Sequence, residues 1–198
     1  MLSKFRSQIL RWLEFVGIGP ADWIEFDEYR SDVEWEFVEF LRSRAPVWRS
    51  LGLSHNDIIA FREFSGKLVV VFEVSDRWRN SLLRTLRIDF DGVRVNLGED
   101  ECGQLVTRRN ETRPDFAGSD GVADKALTLG RFAADWIERE LRRPIELRWW
   151  SGTDFYHSEW VLGDTNRVIM RCDTWNQARE NLGPPHHVRV VRDFSRVR

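Results

Sequence analysis

Few side chains in this 198-residue chain are suited to nucleophilic or metal chemistry, since it has only four histidines and two cysteines. The adjacent His186 and His187, if they lie in a strand, point to opposite faces, which is poor geometry for binding one metal ion. Neither cysteine has a neighbouring histidine, and Cys172 alternates with apolar residues, which predicts burial. We therefore expect no metal site, no cofactor and no cysteine nucleophile.

His157 and the many carboxylates allow a hydrolase whose active-site residues are scattered through the fold. The strings G-x-G-x-x-G, G-x-x-x-x-G-K-[ST], G-x-S-x-G and H-E-x-x-H, which mark common nucleotide-binding and catalytic sites, are absent from the sequence. A protein without enzymatic activity is therefore favoured, and no catalytic residue is assigned. The hydrolase is the alternative, and a cluster of His157 with several carboxylates would support it.

Acidic residues are concentrated between residues 14 and 39, where Arg30 is the only basic residue. Asp27 and Glu28 precede a predicted helix that carries Glu34 and Glu36. A helix face of this kind has a negative field that attracts a basic partner. The simpler interpretation is the solvated side of an amphipathic helix.

Tryptophan lies beside arginine at several places in the chain, and both residue types dominate interface hot spots and stack on bases. Trp78 has only polar neighbours in sequence, and Trp150 is expected to face away from Trp149. Both are therefore candidates for exposure. The predicted partner-binding residues are Asp27, Glu28, Glu34, Glu36, Arg77, Trp78, Arg79 and Trp150.

Apolar residues at helical spacing predict amphipathic helices over residues 4–16, 31–44 and 122–141, with a shorter helix over 174–182. Period-two runs predict strands over residues 58–64, 67–74, 145–149, 155–162, 167–172 and 188–191, and a helical turn is expected near Leu82. Asp91-Gly92 is typical of a two-residue type I′ turn. That turn would place on one apolar face the residues Ile88, Phe90, Val93 and Val95.

Helices and hairpins follow one another in blocks rather than alternating singly, which disfavours a parallel doubly wound sheet. We predict an α+β fold in which an antiparallel sheet built from hairpins packs against two or three amphipathic helices. A single domain over residues 1–198 is expected. An internal seam near residues 110–121 is the best candidate for a boundary, because that stretch is polar and contains Pro114, Gly118 and Gly121.

Thirty basic and 32 acidic residues give a net charge of −2, which makes nucleic-acid binding through a broad positive field unlikely. No apolar run approaches the roughly 18 residues of a membrane span, and two lone thiols suit a reducing compartment such as the cytoplasm. The leading hypothesis is a non-enzymatic protein-binding domain, such as an immunity-type inhibitor that neutralises a basic toxin. The alternatives are the hydrolase and, less favoured, a nucleic-acid-binding module.

Overall fold

The computed structural model describes residues 23–101, 104–113, 122–152, 156–173 and 182–194 of the chain. The chain forms two compact units: the first runs to Val74 and also includes Thr85–Glu138, and the second comprises Ser75–Arg84 and the residues from Arg139 onward. The boundaries between units fall within strands and a helix. The single-domain assignment stays a prediction, and residues 114–121 of the predicted seam lie outside the described part.

The main-chain elements confirm the α+β class and its hairpins. The helices are α1 (Asp32–Arg42), α2 (Ala45–Ser50) and α3 (Val122–Leu141), with a 3₁₀ turn at His55–Asp57. The strands are β1 (Ile58–Arg62), β2 (Leu68–Asp76), β3 (Ser81–Phe90), β4 (Val95–Glu101), β5 (Gln104–Arg113), β6 (Ile145–Ser151), β7 (Tyr156–Leu162), β8 (Arg167–Asp173) and β9 (His187–Arg192). They form two sheets, ordered β1-β2-β3-β4-β5 and β8-β7-β6-β9.

Helix α1 begins where the sequence predicts, because Ser31 caps it. The Ser31 hydroxyl accepts a hydrogen bond from the backbone N–H of Glu34 at 3.3 Å. The Glu34 carboxylate accepts from the backbone N–H of Arg30 at 2.7 Å, one residue before the cap. The first bond satisfies a donor that the first helical turn leaves free, and the second fixes the backbone that leads into the helix, so both favour a helix that begins here.

The core of the first unit is aromatic where helices meet the five-stranded sheet. Phe37 of α1 stacks on Phe90 of β3 with ring centroids 4.1 Å apart, and Trp48 of α2 meets Phe72 of β2 edge-on at 4.9 Å. Helices α1 and α3 approach closely at Gly130, where an added Cβ would lie 2.7 Å from the Phe40 ring. The predicted packing of amphipathic helices on a hairpin sheet is confirmed.

The β3–β4 hairpin forms at Asp91-Gly92, but with a longer loop than a type I′ turn. Phe90 pairs with Val95, so the loop has four residues and Val93 is exposed rather than on the apolar face. The Asp91 carboxylate accepts hydrogen bonds from the N–H groups of Val93 and Arg94, at 2.9 and 2.7 Å. These local bonds favour the longer turn over the expected one.

Two further expectations from the sequence are wrong, and two others fall outside the described residues. Leu82 lies in strand β3 instead of a helical turn. Cys172 is exposed rather than buried, because β8 is an edge strand of the second sheet. The predicted helix at 4–16 lies outside the described residues, and so does the predicted helix at 174–182 except for its last residue. None of the described helices has the length and apolar character needed to cross a bilayer.

Candidate functional site

Helix α1 and the loop before it carry exposed carboxylates beside an exposed tryptophan. Asp32, Trp35 and Glu36 are spaced by three and four residues along α1; Asp32 is exposed, Trp35 is 39% exposed and Glu36 is half-buried. Asp27 and Glu28 are exposed in the preceding loop. We call this set, Asp27, Glu28, Asp32, Trp35 and Glu36, the acidic surface. Within the described residues, none of its four carboxylates forms an ion pair, and the one basic residue in this stretch of the chain is Arg30.

An internal ion pair holds the loop of the acidic surface against its helix. Arg62 of β1 donates from Nη2 to the Glu34 carboxylate at 2.8 Å and to the backbone carbonyl of Glu28 at 2.5 Å. Both charged side chains of the pair are buried. Burial alone would raise the pKa of Glu34, but hydrogen bonds and positive charge from Arg62 and Arg30 lower it below its ordinary value. Glu34 was expected at the partner surface, but its carboxylate is buried and paired with Arg62.

In the second unit, the tip of the β2–β3 hairpin presents Trp78 to solvent, with 73% of its surface exposed. Asp76 organises this tip, although it is itself only 2% exposed. Its Oδ1 accepts from the backbone N–H groups of Trp78 and Arg79 at 3.1 and 3.3 Å. Its Oδ2 accepts from Trp160 Nε1 at 3.0 Å and from Arg189 Nη2 at 2.5 Å. The predicted exposure of Trp78 is confirmed.

Arginine and aromatic side chains interleave around this tip. The Arg189 guanidinium carbon lies 4.3 Å from the Trp78 ring centroid, a cation–π contact. The Arg79 guanidinium carbon lies 5.6 Å from the Tyr156 centroid and 5.8 Å from that of Trp78. Arg77, the remaining arginine predicted here, is exposed. The tip therefore combines a large accessible ring with several positive charges.

Trp150 is buried, at 6% exposure, and the expectation that it would be exposed is wrong. Its Nε1 donates to the carbonyl of Gly183 at 3.1 Å, and its ring packs against His157 with centroids 5.2 Å apart. Trp149 is only half-buried and stacks on His187 with centroids 4.9 Å apart. The alternation of side chains along β6 could not predict which tryptophan is exposed, because buried residues occur on both faces of this strand.

His157 gathers two carboxylates, as the hydrolase alternative requires in part. Its Nδ1 contacts the Asp173 carboxylate, and its Nε2 lies 3.2 Å from Glu159 Oε1, which also accepts from Arg171. A general base must direct a ring nitrogen at the substrate proton, whereas Nδ1 here contacts Asp173 and Nε2 is buried without a hydrogen-bond partner among the described residues. Across the described residues, no group of three or more histidine, cysteine, aspartate or glutamate side chains is placed to hold a metal ion.

Sequence reasoning missed three residues that build these surfaces: Trp35, Asp76 and Arg189. Trp35 lies off the apolar stripe of α1, so a helical projection could have revealed its exposure. Asp76 and Arg189 are 113 residues apart in the chain, and no local pattern signals their contact. No protein-family model, curated protein or solved structure matches the chain.

Proposed function

We propose that this chain is a non-enzymatic binding protein that holds a basic protein partner on the acidic surface. The observation that carries the proposal is an exposed tryptophan, Trp35, beside carboxylates that form no ion pair within the described residues. Tryptophan is the residue type most enriched in interface hot spots. Carboxylates around it attract basic partners and repel acidic ones.

The carboxylates and the Trp35 ring of the acidic surface should contribute to binding in different ways. Exposed carboxylates act mainly on the association rate, because their long-range attraction is screened by salt over about 8–10 Å. The Trp35 ring acts mainly on dissociation, because its apolar area is buried only in the complex. A lysine or arginine of the partner placed over this ring would add a cation–π contact. An immunity-type inhibitor that covers a basic toxin is the specific form of this proposal.

The test is affinity capture with the tagged full chain, followed by measurements on the purified companion. We expect one stoichiometric basic protein whose association rate falls at least about tenfold when salt rises from about 50 to about 300 mM. Trp35→Ala should weaken its affinity by about 30-fold or more, the loss of an aromatic hot spot. Trp78→Ala, which removes an exposed tryptophan from the other unit, is the matched control and should leave the affinity unchanged.

The same purified pair distinguishes the inhibitor from a simple adaptor. An immunity-type role requires that the companion's toxicity or enzymatic activity disappear when the chain is added at equal stoichiometry. Salt-independent association, or equal affinity for the wild type and for Trp35→Ala, would exclude the acidic surface as the binding site. A chain that captures no companion would remove the basis of the proposal.

We also propose a cytoplasmic location, supported by the free thiol of Cys172 at an exposed edge strand. Such a thiol persists most readily in a reducing compartment. Fractionation of the native host, with thiol labelling of intact cells, tests this. Recovery of the chain outside the cytoplasm, or with Cys172 oxidised, would contradict it.

A further inference from the structure

One face of the four-stranded sheet in the second unit carries aromatic and basic side chains. On this face, Trp149 of β6 pairs with His187 of β9, and two residues further along β9 is Arg189. Tyr156 of β7 lies on the same face because it pairs with Ser151, two residues after Trp149; Trp160, four residues further along β7, also lies on this face but is buried. The hairpin tip with Trp78 and Arg79 packs here. We call this set the aromatic face; its members are Trp78, Arg79, Trp149, Tyr156, His187 and Arg189.

Trp78 is both exposed and fixed in place, an unusual combination for a hairpin tip. Asp76 accepts hydrogen bonds from the backbone on both sides of the exposed ring and from Arg189, which lies over the ring. A buried carboxylate thus holds an exposed tryptophan on the surface. Holding a side chain in one conformation before binding lowers the entropy cost of recognition, which is a property of binding surfaces.

The charge of the aromatic face is positive, although the whole chain has a net charge of −2. Arg79 and Arg189 contribute two guanidinium groups, and the buried Asp76 that is ion-paired with Arg189 contributes one carboxylate, so these three described side chains have a net charge of +1. The net charge therefore does not describe the potential at this face, where an anionic ligand is favoured.

Two aromatic side chains on this face are placed so that each could stack on one of two successive flat groups of a ligand. Trp149 stacks on His187 and Trp78 lies against Arg189, and these two β9 residues are two positions apart, about 6–7 Å along the strand. Flat rings on a sheet face combined with arginines are how proteins bind unpaired bases and the phosphates between them. An acidic peptide would satisfy the arginines but would leave the rings without stacking partners.

We propose that the aromatic face binds single-stranded nucleic acid. One base stacks on the exposed part of Trp78, a neighbouring base stacks at the Trp149–His187 pair, and Arg79 and Arg189 contact the phosphates. This site is independent of the proposed protein-binding function, because it uses residues of the other unit. Each proposal can therefore fail without the other.

The probe is a fluorescein-labelled oligothymidylate of about 15 nucleotides, titrated with the full chain by fluorescence anisotropy. We expect saturable binding at about 50 mM salt, with an affinity that falls as salt rises. The slope of log K against log salt should be about −0.7, the value for one phosphate neutralised by Arg79, because Asp76 already neutralises Arg189. Trp78→Ala should weaken binding by about 5- to 150-fold, equivalent to one stacked base at about 1–3 kcal/mol.

The control variant is Trp35→Ala, which also removes an exposed tryptophan and should not change the affinity for the oligonucleotide. Arg79→Gln should reduce the salt slope by about 0.7, and it provides a second readout if Trp78→Ala does not fold. Absence of binding at about 100 μM protein, a range that covers even weak non-specific affinity, overturns the proposal. Equal binding by Trp78→Ala, or polyglutamate that binds as tightly as the oligonucleotide, also overturns it, the latter in favour of an acidic protein segment.

Discussion

The four hydrogen bonds that Asp76 accepts lead to a specific prediction about stability. We consider Asp76→Asn, which keeps the size of the side chain but replaces one carboxylate oxygen by an NH₂ group. One oxygen of Asp76 serves the backbone donors of the tip, and the other serves Trp160 and Arg189. The substituted amide can keep only one of these two sets. Its NH₂ group must then face donors that have lost their acceptor.

The magnitude follows from the burial of those donors. Trp160 is almost completely buried, so its indole N–H cannot find water, and an unsatisfied buried donor costs about 1–3 kcal/mol. The Arg189 side chain is 29% exposed and can rehydrate, so its loss contributes no more than about 1 kcal/mol. We expect a total of about 1–4 kcal/mol in the free energy of unfolding. For a chain of this length that lowers Tm by roughly 2–16 °C.

The assay is urea and thermal unfolding followed by circular dichroism, with Asp91→Asn as the matched control. Asp91 also accepts two backbone hydrogen bonds in a hairpin loop, but it is exposed and has no buried donor to satisfy. Its replacement should change stability by no more than about 0.5 kcal/mol. If Asp76→Asn cost no more stability than this control, the assignment of Asp76 as the charged acceptor of the hairpin tip would be refuted.

Two further predictions concern the first unit. Gly130→Ala would stabilise an isolated helix, but here it should lower the free energy of unfolding by about 1–3 kcal/mol, because the new Cβ would lie 2.7 Å from the Phe40 ring. Thr128→Ala is the control on the same helix. A gain in stability to urea would show that the two helices can move apart without cost. Because the folded-state pKa of Glu34 is below its ordinary 4.5, its pair with Arg62 stabilises the fold above about pH 4.5 and loses this effect as pH falls through the lowered pKa. The Glu34→Gln variant should therefore be less stable than the wild type at pH 7, and its stability should fall less than that of the wild type between about pH 5 and pH 3. A difference in Tm between the two proteins that stays the same over this pH range would contradict the prediction.

Local patterns in the sequence were sufficient for the class of fold and for most elements. Helix α3 follows from its apolar stripe, and α1 begins at the predicted cap because Ser31 and Glu34 act within one helical turn. Hairpins follow from period-two runs and turn residues. The Asp91-Gly92 turn was located correctly, but the register was wrong by two residues, because the Asp91 side chain favours a longer loop.

The candidate surfaces were less predictable, because burial depends on what covers a residue in three dimensions. Glu34 and Trp150 belong to patterns typical of exposed residues, yet Arg62 from a distant strand neutralises the first and the chain near Gly183 covers the second. Cys172 alternates like a core residue, but the sheet order makes its strand an edge.

The sequence by itself determined which segments are helices and strands, since hydrogen bonding within a turn and side-chain periodicity are properties of neighbouring residues. It also indicated that acidic residues cluster near α1 and that Trp78 has only polar neighbours. Only the tertiary structure decided which carboxylates are already paired and which rings remain accessible. The contact of Asp76 with Arg189 shows the reason: a long-range ion pair depends on sheet order and register, which no local pattern contains.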